Sequence, residues 1–130
     1  MKILQFFLII VAVITSAHAG RTEPTFYHLS DGDEEKIKEA VSVKMLDPDS
    51  TRIGDLIAAN DTDTAGLAYV CGKVSGRNTF GGYAQPTPFF GTLVDTNAGD
   101  KAFLVLSIAE PTSTSQAAVL KTCLKYMPDH

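Results

Sequence analysis

Apolar residues recur along this chain at two different spacings, and the change of spacing marks where helix gives way to strand. Ser30 to Glu35 is polar and acidic, with side chains that cap a helix start and carboxylates suited to the positive end of a helix dipole. Ile37, Val41 and Met45 then follow at four-residue spacing, giving one apolar stripe. Asp47-Pro48-Asp49 ends that helix, because the residue before a proline is pushed out of the helical region. Beyond it the pattern loosens into strands. Thr51 to Ala58 alternates, with Ile53 and Ile57 expected on the inner face, and Asn60 to Asp63 makes a polar loop. Leu67 to Val74 is apolar and β-branched enough for a central strand. Gly76-Arg77-Asn78 and Gly81-Gly82 bracket a turn. Pro86 and Pro88 make the next segment start irregularly before it settles into a strand over Phe89 to Val94. Asn97 to Asp100 forms a hairpin, followed by a strand over Ala102 to Ala109. After Pro111, Ser113 with Gln116 resembles a capping box, and Ala117, Leu120, Cys123 or Leu124 and Met127 form a second helical stripe.

The order α-β-β-β-β-α with short links predicts an α+β domain. Its core would be a four-stranded antiparallel meander, since parallel crossovers need longer connections. The N-terminal and C-terminal helices are expected together on one face of that sheet.

The first 19 residues form a separate segment. Lys2 precedes a run from Ile3 to Ile14 that is apolar apart from Gln5, and Ala17-His18-Ala19 has the small-x-small form of a signal-peptidase site. The run is shorter than the about 20 apolar residues a membrane-spanning helix needs. We therefore expect a signal peptide over residues 1–19, a flexible leader over 20–29 and a single domain over 30–130. After cleavage no membrane attachment is expected, and the protein would be periplasmic or secreted.

Composition narrows the partners. The chain has 130 residues and a formal net charge of −4, with 15 acidic against 11 basic side chains. Without a Lys/Arg cluster, that balance argues against a nucleic-acid partner. Cys71 and Cys123 are the two cysteines, and in an exported protein an even pair most simply means one disulfide. The loop it would close contributes about 4 kcal/mol in chain-entropy arithmetic. Metal binding by the same two isolated thiols is the weaker reading, because no His or Cys partner stands at ligand spacing.

The run Cys71-Gly72-Lys73-Val74-Ser75-Gly76-Arg77-Asn78-Thr79-Phe80-Gly81-Gly82-Tyr83 resembles a motif of small exported proteobacterial proteins, roughly C-G-x-V-x-x-[KR]-N-x-[FY]-G-G-Y. Leu46 to Gly54 is similar to their L-x-D-P-x-S-x-[RK]-[FI] segment, and Pro88-Phe89-Phe90 to their P-F-[FY] step. That family is functionally uncharacterised. The resemblance implies an exported bacterial domain and carries over no catalytic residue.

Familiar catalytic patterns do not fit. There is no H-E-x-x-H, G-x-S-x-G, P-loop or G-x-G-x-x-G match, so no metal, cofactor or catalytic residue is assigned. What remains is the loop carrying Arg77, Asn78, Phe80 and Tyr83. It is read either as a tight turn that covers the sheet or as a recognition surface of a cation, an amide and aromatics. The favoured expectation is a small non-enzymatic periplasmic domain that binds a protein or another envelope component. Two alternatives stand beside it. One is a secreted effector, or an immunity or inhibitor protein against an envelope-directed enzyme; the other is a hydrolase built on a carboxylate pair.

Overall fold

The structure is a computed structural model that describes residues 22–129; the expected signal peptide lies outside the described residues. Helix α1 (Asp31–Ser42) and a short 3-10 turn (Pro48–Ser50) precede four strands: β1 (Arg52–Asn60), β2 (Leu67–Ser75), β3 (Thr87–Asp95) and β4 (Lys101–Ile108). Helix α2 (Ser113–Tyr126) closes the chain. All three strand pairings are antiparallel, in the order β1-β2-β3-β4. The α+β meander with two helices packed on it stands as expected. So does the disulfide, which joins Cys71 on β2 to Cys123 on α2 with their Cα atoms 5.9 Å apart.

The placing of the helices differs from expectation. Successive side chains of a strand point to opposite faces, and here both faces of the central strands are buried. Val70 and Phe89 pack with Ile37 and Val41 of α1, while their neighbours Cys71 and Phe90 pack with Val119 and Cys123 of α2. One helix therefore covers each face, giving three layers rather than two. Phe89 and Phe103 meet edge-on beneath α1, with ring centroids 6.3 Å apart. Gly91 is what lets Phe103 cross β3, since a Cβ there would lie 2.4 Å from its ring. On the α2 face, Tyr69, Phe90 and Tyr126 stack, Tyr69 and Tyr126 at 4.1 Å.

A bulge in β1 settles the faces of the edge strand. Its register against β2 shifts between Gly54 and Ile57, and Asp55 sits in the left-handed region at φ 51°. The extra residue reverses the alternation. Ile53 and Leu56 thus face α1 and Ile57 faces α2, so the two isoleucines expected on one inner face lie on opposite ones.

Three local expectations also change. The cap of α2 is Thr112, whose Oγ1 accepts from the Ser115 N–H at 3.3 Å, so Ser113 lies inside the helix. The buried stripe of α2 is Val119, Cys123 and Met127, which leaves Leu120 and Leu124 exposed. The leader is tied down where Thr25–Tyr27 runs along the outer edge of β1. There Tyr27 N–H donates to the Ala58 carbonyl and Asn60 N–H to the Thr25 carbonyl, each at 2.8 Å.

Tyr27 links that segment to the start of α1. Ser30 and Asp33 form a capping box, the Asp33 N–H donating to Ser30 Oγ at 3.2 Å and the Ser30 N–H to the Asp33 carboxylate at 3.0 Å. The Tyr27 hydroxyl donates to the same carboxylate at 3.1 Å and accepts from the Lys101 ammonium on β4. Burial alone would raise the Asp33 carboxyl, but the hydrogen bonds from Ser30 and Tyr27 and the charge of Lys101 hold it below the ordinary range. A carboxylate lowered by folding stabilises the fold above its unfolded value of about 3.9, and that contribution is lost as pH falls through the lower folded value. Urea unfolding from neutral pH into acid checks this. Asp33→Asn should be the less stable protein near neutrality, with the difference shrinking as the pH drops below about 4. A difference that does not change with pH would remove the carboxylate charge from the capping network.

Candidate functional site

Residues 76–83 form a tight projecting loop between β2 and β3, and its geometry follows from a few backbone bonds. The Asn78 N–H donates to the Gly82 carbonyl at 2.8 Å, and the Gly81 N–H donates to the Asn78 carbonyl at 3.0 Å. Asn78 Oδ1 accepts from the Phe80 N–H at 3.0 Å, an Asx-type contact that closes the turn. Gly81 has φ 81°, where a side chain is strained, and Arg77 and Tyr83 pair as an isolated antiparallel bridge below it. Phe80 stands at the tip, 95% exposed.

The base of the loop is held from the other side of the turn-strand junction. Ser50 Oγ accepts from the Arg77 N–H at 2.7 Å and donates to the Asp47 carbonyl at 2.8 Å. The Arg52 guanidinium lies 3.6 Å from the centre of the Tyr83 ring, and that of Arg77 lies 5.7 Å from it. Such cation–π contacts are worth about 0.5–1 kcal/mol at exposed sites. Segments 46–54 and 71–83, singled out separately from the sequence, therefore meet in space through Ser50–Arg77 and Arg52–Tyr83.

Of the four loop residues named from sequence, Arg77 and Tyr83 are brought together. Phe80 is presented to solvent, and the Asn78 side-chain oxygen is engaged within the turn. Sequence reasoning missed what lies beside them. On the α2 face a polar hollow of about 470 Å³ is lined by Arg52, Asp55, Lys73, Ser75 and Gln85 among others. It adjoins an apolar groove of about 330 Å³ between α2 and the β1 side of the sheet, and Asp55 and Lys73 border both. The Lys73 ammonium and Asp55 carboxylate pair at 3.0 Å. Leu120 and Leu124 form the helix wall of the groove, 47% and 75% exposed. The exposed apolar flank at Leu120 and Leu124 was visible as a stripe in the sequence; its direction was not.

Among the described residues, no three of His, Cys, Asp and Glu come together as a metal site, and no helix is long and apolar enough to cross a membrane. Asp33 is the buried carboxylate among them, and its oxygens serve the cap of α1.

The fold and surface define a small disulfide-bonded α/β/α sandwich with an exposed aromatic loop beside an amphipathic groove. Comparison with protein-family models, with curated proteins and with solved structures found no match.

The turn geometry separates scaffold from surface. Gly81→Ala should cost about 1 kcal/mol, because the left-handed region is closed to a Cβ, whereas Gly82→Ala and Arg77→Ala should stay within about 0.5 kcal/mol. Denaturant midpoints of the three variants measure this. An Arg77→Ala protein that loses as much stability as Gly81→Ala would assign the Arg77 side chain to the scaffold.

Proposed function

We propose that this chain is a small exported, non-enzymatic domain of the bacterial envelope that binds a protein or another envelope component through loop 76–83 and the adjoining groove. The apolar run ending in Ala17-His18-Ala19 supports export, and the Cys71–Cys123 bond fits it, since disulfides persist in oxidising compartments. The observation that carries the binding reading is the loop tip. Phe80 is almost fully exposed on a hydrogen-bonded turn whose neighbouring ring is gripped by Arg52. A rigid aromatic anchor next to arginines is the composition that dominates binding energy in protein interfaces. A turn that merely joined β2 to β3 would gain nothing from exposing it.

Capture from envelope extract on the immobilised protein tests the reading. Phe80→Ala should reduce capture by about fivefold or more, with the melting temperature unchanged, because truncating an anchor costs more than about 1 kcal/mol. Equal capture by the parent and by Phe80→Ala would move the binding surface elsewhere. N-terminal sequencing of the protein from a periplasmic extract should find a chain starting at Gly20; a chain starting at Met1 in the membrane pellet would end the export reading.

A further inference from the structure

We propose that the groove beside α2 binds a monomeric anionic amphiphile, with an alkyl tail laid between α2 and β1 and an acidic head held by Arg52 and Lys73. This inference rests on the reading of that surface as a binding surface, and names the ligand class.

Helix α2 packs on β3 and β2 and makes few contacts further along the sheet, so among the described residues no helix lies over the β1 side of that face. The floor of the groove is lined by half-buried Ile57 with buried Cys71 and Pro88, and its wall by Leu120, Leu124 and Met127. Small-molecule sites are apolar hollows of about 300–1,000 Å³ with a few placed polar groups, and the 330 Å³ groove falls in that range. Its polar side chains, Asp55 and Lys73, stand together and are shared with the polar hollow that carries Arg52. An alkyl chain brings no hydrogen-bonding groups and suits such walls. A peptide backbone laid there would bring N–H and C=O groups that apolar side chains leave unpaired.

Charge selects the head. The chain has a formal net charge of −4, yet the lining of this hollow carries Arg52 and Lys73 against the single acid Asp55. A local cationic spot on an acidic protein attracts a small anion while the whole molecule is repelled by an anionic bilayer. The left-handed backbone at Asp55 belongs to the same feature: the bulge is what turns that carboxylate toward Lys73 and leaves Arg52 to Tyr83.

The test uses the purified, disulfide-intact protein and dodecanoate below its micelle concentration, with amide and methyl chemical shifts and calorimetry as readouts. Saturable binding is expected, with shifts centred on Ile57, Leu120, Leu124 and Lys73. Dodecyltrimethylammonium, with the same tail and the opposite charge, should bind about tenfold more weakly or worse. Leu124→Asp, at an exposed position that leaves the fold intact, should lower dodecanoate affinity by about tenfold, and Lys73→Ala by about threefold or more. No saturable binding would overturn the proposal. So would equal affinity for the two detergents, indifference to Leu124→Asp, or binding to phosphatidylglycerol vesicles without binding to monomers. If an acidic amphipathic peptide binds the groove and dodecanoate does not, the occupant is a protein. In that event Leu124→Asp should impair capture from envelope extract, and the binding surface stands without the amphiphile. If dodecanoate shows no saturable binding and neither Leu124→Asp nor Phe80→Ala changes capture, both readings fall.

Discussion

Burial of both faces of β2 and β3 is the constraint on which the molecule is built. Antiparallel sheets commonly keep one face in water and show it as alternation of apolar and polar residues. Here Phe89 and Phe90, neighbours on one strand, are each nearly inaccessible to solvent and belong to different cores. A helix is then required on each side, and the chain supplies one before the sheet and one after it. The two layers are secured differently. Helix α1 is fixed by its capping box, by Tyr27 and by packing on β4, whereas α2 is bonded covalently to the centre of the sheet. The bond closes a loop of 52 positions and contributes about 4 kcal/mol in the chain-entropy model, a large part of the about 5–15 kcal/mol that holds a domain together.

The surface follows from the same arrangement. One helix cannot cover four strands, and α2, anchored at Cys71, lies over β2 and β3. The flank of α2 that carries Leu120 and Leu124 therefore overlooks the bare side of β1. The β1 bulge and the 3-10 turn at Pro48–Ser50 bring Arg52 and Ser50 to the base of loop 76–83, so the loop and groove form one continuous region.

Strand and helix positions were legible in the sequence because proline, glycine and spacing mark them locally. The pairing of Cys71 with Cys123 was legible because no other thiol competes. The face of each helix was not, since it depends on which side of a strand each residue takes. The signal was present nonetheless: Phe89 to Val94 is a run that does not alternate, the mark of a strand buried on both sides. A single inserted residue near Asp55 reverses the sides of β1, and its one local mark is Gly54-Asp55, a glycine inside the strand beside a residue that tolerates the left-handed region. The same gap explains the site. Arg77, Asn78, Phe80 and Tyr83 fall within one seven-residue stretch and are read together, whereas Arg52, Lys73 and Leu124 converge only through register, the bulge and the rotation of α2. The disulfide agrees with that rotation, since Cys123 lies on the buried stripe with Val119 and Met127.

Nuclear Overhauser contacts across the sheet test the two-core arrangement most directly. Methyl groups of Ile37 and Val41 should show contacts to the Phe89 ring and none to Phe90, while the Val119 methyls should show contacts to Phe90 and none to Phe89. Contacts from both helices to the same phenylalanine would place them on one face and contradict the three-layer structure.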